Sequence, residues 1–474
     1  MENSKKIVWY NLAFMAFSTV WGFGNVLNGF VYFNGIQVIF SWVMMFALYF
    51  VPYALMVGEL GSAFKNSGGG VSSWIHETIS PKFAYYAGWT YWACHVTYIA
   101  SKGSGGLKAL SWMVFQNGIT YDKFPTIAVQ LATLAVLLFF SWVASRGLNP
   151  LKKLATIAGT SMFVMSILYI LMMFAAPVIN PNAEYVTMEF TKEALIPKFN
   201  VGYFTSLSIL VFAVGGCEKI SPYVNKVKDP SKGFPKGMIA LAVMVMVCAI
   251  LGTIAMGKMF DPTIINESKE SFNSYVSNGS YWAFQKLGEY YGVGNALLII
   301  YAACNAIGQF STLVLSIDAP LRMLLDNEDA RQFVPTKLLK KNDKGAYING
   351  IWMVVALSGS IILIQSFVPG AAAVLTQLNK LNSVTMPLRY LWVFAAYIAL
   401  RKAAGKFHPE YRFVKNQKVA KFFGVWCFAV TAICCVMGMY DKDPFTFALN
   451  VITPVVLTVL GFILPDIAKR EQQK

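Results

Sequence analysis

The chain has 474 residues, of which 56% are hydrophobic and only 13% are charged. This composition excludes an ordinary soluble protein, and it is too poor in charge for a disordered one. Apolar runs of roughly twenty residues recur from end to end, and each is long enough to cross a bilayer. We therefore predict an all-α integral membrane protein with a single transmembrane domain over residues 1–474.

The formal net charge of +16 would by itself fit a nucleic-acid partner, but the placement of the basic residues excludes one. Lys and Arg cluster in alternate loops, at 5–6, 146–153, 226–236, 331–344, 401–421 and 469–470. This is the positive-inside pattern of a multi-pass protein of the cell membrane with both termini in the cytoplasm. We expect contact with membrane lipid and no nucleic acid.

About twelve membrane-spanning segments follow one another along the chain. They are 7–33, 36–64, a polar third segment that starts near Phe83, 127–144, 154–178, 201–224, 237–259, 293–317, 348–367, 371–400, 422–439 and 447–467. Segment one has an unusual centre, Gly22-Phe23-Gly24-Asn25. Glycine is costly inside a helix, and two glycines beside an asparagine indicate an interrupted helix. Backbone groups freed at membrane depth are tolerated only where they line a cavity, and a freed helix N-terminus attracts a carboxylate.

Segment six has a second candidate interruption, at Phe212-Ala213-Val214-Gly215-Gly216-Cys217-Glu218. Two interrupted segments in matching positions predict a transporter built from inverted repeats, here 7–180 and 201–400, with 422–467 as two further helices. Glu218 is an acid at membrane depth, which is typical of a functional group. It is a candidate for proton coupling or gating, and the alternative is an ion pair with neighbouring Lys219.

Polar side chains on three other segments are further candidates for a substrate site. His95, Tyr98 and Lys102 share one face of segment three, and Asn305 and Gln309 share one face of segment eight. Hydrogen bonds between helices are the alternative role for these groups. On segment ten, Lys380 belongs to a polar patch and is a gating candidate, and Arg389 is a candidate inner gate.

No set of residues in the sequence fits an enzyme, a metal centre or a cofactor site. The chain has three histidines and no phosphate-binding loop with its lysine and hydroxyl. We therefore predict no catalytic residues, no metal and no cofactor. A channel or membrane sensor that binds a ligand without transporting it is an alternative to a transporter.

The motifs resemble those of the amino acid–polyamine–organocation (APC) superfamily. Gly22-Phe23-Gly24 lies where that superfamily interrupts its first helix, and Phe212 to Glu218 is similar to its interruption in helix six. Gly69-Gly70-Val71-Ser72-Ser73-Trp74 resembles a third signature, with Ser72 in place of a tyrosine. Within the superfamily, Val20 to Asn25, Gly216 to Lys219 and Ala319 to Leu324 resemble the glutamate/GABA antiporter branch. Tyr91-Trp92 with His95, Tyr98 and Lys102 is similar to the bacterial tyrosine/tyramine and agmatine/putrescine exchangers.

The resemblance implies a LeuT-type 5+5 inverted repeat with helices 1 and 6 broken. It also implies exchange of an amino acid for its decarboxylated amine, as part of acid resistance. The backbone from Phe23 to Asn25 would hold one end of the substrate, Phe212 to Gly215 the other, and Glu218 would respond to protons. The sequence departs from the pattern at Phe23, where the superfamily has a small residue.

The charges expected around the cavity, Glu218 against Lys102 and Lys380, favour a zwitterionic substrate. The rings of Phe23, Tyr98, Tyr203 and Phe212 are expected to stack on an aromatic substrate. Tyrosine/tyramine exchange is therefore the leading expectation. The alternatives are glutamate/GABA exchange, agmatine/putrescine exchange and a proton-coupled amino acid permease.

Overall fold

The computed structural model describes residues 6–327, 329–367, 371–403 and 405–473, and this part of the chain is almost entirely helical. The first half contains α1 (Trp9–Val20), α2 (Phe23–Tyr32), α3 (Val38–Met45), α4 (Val51–Ala63), α5 (Val71–Thr78), α6 (Pro81–Phe115), α7 (Ile119–Lys123), α8 (Thr126–Ser145), α9 (Leu148–Ile179), α10 (Lys192–Leu195) and α11 (Val201–Val214). A 3₁₀ helix, Cys217–Lys226, follows α11. Extended pairing within the described ranges is limited to two isolated bridges, Ile7 with Val227 and Lys341 with Tyr347.

The second half continues the same pattern. It contains α12 (Pro230–Gly257), α13 (Pro262–Ile265), α14 (Lys269–Tyr290), α15 (Ala296–Leu325), α16 (Ala330–Phe333), α17 (Ile348–Gln365), α18 (Ala371–Leu388), α19 (Tyr390–Lys402), α20 (Gln417–Gly438), α21 (Pro444–Val459) and α22 (Ile463–Gln472). Short 3₁₀ turns lie at Gly35–Gln37, Thr336–Leu339 and Leu460–Phe462, and a π-helical stretch, Phe46–Phe50, joins α3 to α4.

Ten helical stretches of the described chain are long and apolar enough to cross a membrane. Two more segments complete the predicted set of about twelve spans: the interrupted pair α1 and α2, and the 35-residue helix α6, whose polar residues lower its hydropathy. The all-α membrane class is confirmed. In chain order, span 1 is α1 with α2, span 3 is α6, span 6 is α11 with the following 3₁₀ helix, span 8 is α15, and span 10 is α18 with α19. The division into repeats at 7–180 and 201–400 stays a prediction.

Both predicted helix interruptions are confirmed. In span 1 the helix stops at Val20, and Trp21 and Gly22 are extended before α2 begins at Phe23, so the break lies slightly earlier than Phe23. In span 6 the helix stops at Val214, Gly215 is extended, and Gly216 has φ +105°. A left-handed φ of that kind favours glycine, which has no Cβ to clash with the backbone.

The loops rich in Lys and Arg lie together on one face of the molecule, which we call the basic face. Contacts between loops that are distant in sequence establish this grouping. They are the Ile7–Val227 bridge, the Lys65–Glu410 and His76–Asp329 ion pairs, and the hydrogen bonds from Asn342 to Ser145 and from Thr336 to Glu471. The remaining loops meet on the opposite face, where Val186 bonds to Lys258 and Asn295 to Gln116.

The basic face is closed across the ends of the interrupted spans. The amide of Ile7 donates to the carbonyl of Lys226 at 2.8 Å, and the amide of Lys228 donates to the carbonyl of Ile7 at 2.8 Å. On the other side of the bundle, the hydroxyl of Ser72 at the start of α5 donates to the carbonyl of Met323. The two Ile7 bonds join spans 1 and 6 on the basic face, and the Ser72 bond joins α5 to span 8. Access to the breaks therefore comes from the opposite face.

Close packing of α6 on α15 requires a glycine at position 88. A Cβ added to Gly88 would lie 2.7 Å from the carbonyl oxygen of Met323 and 2.9 Å from the Cα of Leu324. Both atoms belong to the backbone of α15, so relief requires the two helices to separate. Small residues at membrane helix interfaces permit this approach.

We predict that Gly88→Ala lowers the thermal stability of the purified protein. Overpacking of this kind costs about 1–3 kcal/mol, which corresponds to a fall of several degrees in Tm. The matched control is Gly359→Ala in α17, whose new Cβ would meet only the flexible end of the Leu134 side chain at 3.2 Å. Equal melting temperatures for the two variants would contradict the prediction.

Candidate functional site

A cavity of about 1200 Å³ penetrates the bundle from the face opposite the basic face. Its mouth includes Asn200, Lys269 and Asp441, which lie in or beside loops of that opposite face. It reaches both breaks, because Thr19 to Gly22 line it from span 1 and Gly215 lines it from span 6. On α6 the lining residues stop at Tyr98, which marks the depth of the cavity.

The N-terminus of α2 offers free backbone amides to this cavity. Gly22 is the N-cap of α2, and no side chain caps this N-terminus. Gly22 and Gly24 line the cavity. The first N–H groups of a helix have no partner within the helix and carry a partial positive charge. This position therefore suits the carboxylate of a bound molecule.

Asn25 ties the two interrupted helices to each other. Its side-chain nitrogen donates to the carbonyl of Val20 at 3.3 Å and to the carbonyl of Ala213 at 3.1 Å. These carbonyls belong to the last turns of α1 and α11, where the breaks remove the usual helical partners. A single amide group thus satisfies an acceptor on each span and fixes the distance between the two breaks.

The cavity wall carries a large excess of positive charge. Among the described residues that line it, seven are basic and one is acidic: Lys102, Lys108, Lys219, Lys269, Lys380, Arg389 and Lys442 against Asp441. Charged groups of one sign in a cleft with low-dielectric walls raise the local concentration of oppositely charged solutes. The cavity is therefore suited to an anion.

Glu218 lies behind the cavity floor, paired with Arg389. The Arg389 Nε donates to Glu218 Oε1 at 3.2 Å, and Tyr91 Oη donates to the same oxygen at 2.5 Å. Tyr53 Oη donates to Oε2. The Glu218 carboxylate is fully buried, so these donors replace water around it. Arg389 itself lines the cavity and separates Glu218 from it.

Lys219, the next residue along the chain, directs its side chain away from the partners of Glu218. Its ammonium donates to Ser316 Oγ at 2.5 Å and lies 5.1 Å from the centroid of the Tyr98 ring. Lys102 approaches the same ring from α6, with its ammonium 4.8 Å from the centroid. The ion pair between Lys219 and Glu218 that the sequence allowed is absent from the described residues, because Arg389 takes that place.

The mouth of the cavity contains an ion pair between Lys380 of α18 and Asp441. Asp443, just beyond it and outside the membrane-spanning segments, accepts from the Thr446 hydroxyl at 2.6 Å and the Thr446 amide at 2.9 Å. These hydrogen bonds lower the pKa of Asp443, so this carboxylate stays ionised at neutral pH.

The structure brings most of the predicted site residues together around the cavity. Those that line it are Gly22, Gly24, Asn25, Tyr98, Lys102, Phe212, Gly215, Asn305, Gln309 and Lys380. Six others do not line it: Phe23, His95, Tyr203, Ala213, Val214 and Glu218. Asn305 and Gln309 are also linked to each other at 3.3 Å, and Asn305 donates to Tyr281 Oη at 2.9 Å.

The expectation that Phe23 stacks on a substrate ring is not met in this structure. Phe23 is buried among Tyr169, Phe284 and Tyr301, with ring centroids 4.7 to 5.6 Å away. The extended Trp21 and Gly22 start α2 in an orientation that turns this side chain into the bundle. Its backbone remains at the helix N-terminus, where a large side chain does not interfere.

His95 and Tyr203 also lie away from the cavity wall. His95 is one turn beyond Tyr98, below the floor, where its ring stacks on Tyr91 and its Nδ1 lies 2.7 Å from the Tyr91 carbonyl. Tyr203 bonds to Ser41 and packs on Phe33 near the opposite face. The helical spacing of His95, Tyr98 and Lys102 correctly predicts which face of α6 is turned toward the cavity. It does not predict how far along α6 the cavity extends, and His95 lies beyond its floor.

Ala213 and Val214 contribute backbone rather than side chains. Both side chains are buried in the core beside the break. The Ala213 carbonyl receives the Asn25 bond, while Phe212 and Gly215 on either side line the cavity. At Gly215 a Cβ would collide with the ring of Tyr390, so the break allows this ring to pack against the backbone.

Lys219 and Tyr390 are cavity residues that the sequence did not single out, and Arg389 was considered only as a gate. A lysine directly after an interruption in an apolar segment was the available signal for Lys219. Tyr390 carried no signal, because a tyrosine near the centre of an apolar segment is ordinary.

Comparisons with known proteins agree with this architecture. A model of the amino acid permease family matches residues 7–464. The chain is 47% identical to the aspartate/glutamate permease AcaP of Lactococcus lactis, over 100% of this chain and 97% of AcaP. It is 25% identical to the inner membrane transporter YjeM of Salmonella typhimurium, over 83% of this chain and 81% of YjeM. It is 21% identical to the probable agmatine/putrescine antiporter AguD of L. lactis, over 90% and 87% of the two chains.

We predict that Asn25→Ala reduces both substrate uptake and thermal stability. Two carbonyls at membrane depth lose their donor, and an unsatisfied buried acceptor costs about 1–3 kcal/mol. Uptake is expected to fall at least tenfold, because the two breaks are no longer held in register. The control is Asn28→Ala, one turn later on the cavity wall, where no described side-chain hydrogen bond is lost. Similar uptake and Tm for the two variants would show that the Asn25 bridge is unimportant.

Proposed function

The chain belongs to the amino acid permease family, and from this premise we propose that it transports acidic amino acids, aspartate and glutamate. Membership makes it a multi-pass membrane transporter of amino acids and not an enzyme, and it confirms the resemblance to the APC superfamily. The observation that carries the proposal is the charge of the cavity wall, with seven basic lining residues against one acidic residue in the described chain. The 47% identity to an aspartate/glutamate permease supports the same substrate class.

The charge of the wall argues against amine substrates. The sequence placed Glu218 in the cavity as its main acid, whereas Arg389 screens Glu218 from it. Without that carboxylate, a cation such as tyramine, agmatine or putrescine meets mainly ammonium groups and a guanidinium. Tyrosine/tyramine exchange also has no support among the relatives described above. An amino acid with a second carboxylate compensates more of the positive charge than a zwitterion does.

The termini are proposed to lie in the cytoplasm, in the cell membrane. The loops of the basic face carry most of the Lys and Arg, and such loops are retained on the cytoplasmic side. The cavity then opens to the outside, and the structure corresponds to a state that accepts substrate from the medium. The α-carboxylate is assigned to the amides of α2, and its amino group to the free carbonyls at the ends of α1 and α11.

Glu218 is proposed to couple transport to protons, and Lys380 to act as an outer gate. Arg389 is the only described cation that pairs with the buried Glu218 carboxylate. A substrate carboxylate that attracts the Arg389 guanidinium weakens this pair, and a proton taken up by Glu218 would then replace the positive charge that the buried carboxylate loses. The Lys380–Asp441 pair joins span 10 to the loop between spans 11 and 12, so its rearrangement changes the width of the mouth.

Exchange of glutamate for its decarboxylated amine is a second candidate mode, favoured by the similarity to a probable antiporter. Proteoliposomes separate it from net uptake. An exchanger takes up labelled amino acid only when preloaded, whereas a permease coupled to protons fills empty vesicles when a pH gradient is applied. A contribution to acid resistance is proposed only for the exchange mode, because decarboxylation with exchange consumes internal protons.

We predict that the purified protein, reconstituted in proteoliposomes, takes up labelled aspartate and glutamate. Unlabelled aspartate or glutamate should compete, and tyrosine, tyramine and agmatine should not compete at the same concentration. Protein-free liposomes are the control. Competition by tyramine that equals competition by aspartate would refute the proposed substrate class.

We predict that Glu218→Gln makes uptake independent of external pH. The wild-type rate is expected to rise as the external pH falls, since protonation of Glu218 neutralises a fully buried charge. Glutamine resembles the protonated form and cannot release the proton. The control is Glu59→Gln, a second buried acid that pairs with Arg401 at 2.6 Å and lies off the cavity. Proton coupling through Glu218 is excluded if Glu218→Gln transports with the wild-type pH profile.

A further inference from the structure

Lys219 is almost completely buried and has no ion-pair partner among the described residues, and of the other described cations that line the cavity only Lys108 shares both features. The relative exposure of Lys219 is 1%, and its ammonium donates to the Ser316 hydroxyl and lies over the Tyr98 ring at the distances given above. No ion pair in the described part of the chain includes it. A hydroxyl and a ring face stabilise an ammonium by hydrogen bonding and cation–π attraction, but they do not neutralise it.

Lys108 donates to Ser277 Oγ and lies 5.9 Å from the centroid of the Tyr121 ring, but on α6 it is nearer the mouth than Tyr98 and away from the two breaks. The other cations nearer the breaks, and Lys380 at the mouth, are paired or hydrated. Arg389 pairs with Glu218 and Lys380 with Asp441. Lys102, which shares the Tyr98 ring, is only half-buried and retains contact with the water of the cavity. Burial of an unpaired charge at membrane depth is expensive, and such residues usually serve a ligand. Lys219 thus presents an ammonium group without an ion-pair partner in the described chain, at the cavity floor beside the breaks.

The location of Lys219 relates it to the amides of α2. Lys219 follows the break of span 6, and the α2 N-terminus follows the break of span 1. The two breaks lie against each other, because a Cβ on Gly216 would be 3.8 Å from the Thr19 carbonyl oxygen. The floor therefore offers two separate positive sites: a set of backbone amides and one side-chain ammonium.

We propose that Lys219 receives the side-chain carboxylate of the substrate and is the residue that selects acidic over neutral amino acids. This inference rests on the proposed function and assigns its selectivity to one group. The α2 amides bind the α-carboxylate, which all amino acids share, so they cannot discriminate among them. The Lys219 ammonium binds a group that aspartate has and asparagine lacks, although the two molecules have nearly the same shape. Ser316 acts as a positioning residue that holds the ammonium at the floor.

The test compares aspartate with asparagine in wild-type protein and in Lys219→Gln, using uptake into proteoliposomes and ligand-induced shifts of Tm. The apparent affinity ratio of aspartate over asparagine is expected to fall at least about 30-fold in Lys219→Gln, because a buried charge pair loses one partner. Lys219→Arg should retain a preference for aspartate, and Ser316→Ala should reduce it partially. The matched control is Lys102→Gln, which should change the ratio by less than tenfold.

The outcomes separate this inference from the function on which it rests. Wild-type protein that neither binds nor transports aspartate and glutamate would refute the proposed function. Wild-type protein that transports both, with an unchanged ratio in Lys219→Gln, would refute the inference alone. Equal loss of aspartate and asparagine binding in Lys219→Gln would also overturn it, because Lys219 would then support the fold of the site rather than its selectivity. If Lys219→Gln does not fold, the ratio in Ser316→Ala decides, and an unchanged ratio there refutes the inference.

Discussion

The hydrogen-bonding requirement of the backbone at membrane depth determines the form of this site. Each unpaired amide or carbonyl in an apolar environment costs several kcal/mol, so a membrane helix can be interrupted only where other groups take over. Asn25 bonds to carbonyls of both interrupted spans, and the Thr312 hydroxyl of span 8 bonds to the Ser18 carbonyl at 2.8 Å. The groups that remain free at the α2 N-terminus face a water-accessible cavity. The cavity therefore makes the breaks tolerable, because water or a ligand can pair with the free backbone groups. The breaks in turn supply the backbone groups that a ligand can bind.

The buried charges at and behind the cavity floor have the same requirement as the backbone groups, because each of them needs a partner that replaces water. Glu218 is removed from the cavity by Arg389, and two tyrosines complete its hydrogen bonds, so this acid is balanced without a ligand. Lys219 has no comparable partner among the described residues. Adjacent residues on a 3₁₀ helix project about 120° apart, which sends Glu218 and Lys219 into different surroundings. The sequence Glu-Lys after the second break thus supplies one group that is paired inside the protein and one that lines the cavity.

The sequence was sufficient for the class of fold, the number of spans and the two breaks, because hydropathy and glycine placement are local signals. It located Tyr98 and Lys102 correctly on the cavity side, since helical periodicity fixes direction. It was wrong to place Glu218 in the cavity, because the screening residue Arg389 is 171 positions away in the chain. Phe23 was misleading for a similar reason: whether its ring faces a ligand or Phe284 depends on tertiary packing. The zwitterionic substrate expected from the sequence depended on Glu218 as the acid of the cavity, and this carboxylate lies behind Arg389 instead.

The closed basic face is held by contacts that are individually weak, which is what transport requires. The two backbone bonds between Ile7 and the loop after span 6 contribute about 1 kcal/mol each. The partly exposed ion pair of Lys341 with Asp326 contributes less than about 1 kcal/mol. A ligand shifts a conformational equilibrium only by its difference in affinity for the two states. A substrate that draws the half-helices of spans 1 and 6 together at the cavity floor alters the positions of α1 and of the 3₁₀ helix, to which these contacts are attached. A difference of a few kcal/mol in substrate affinity is then enough to replace the opening on the face opposite the basic face by an opening on the basic face.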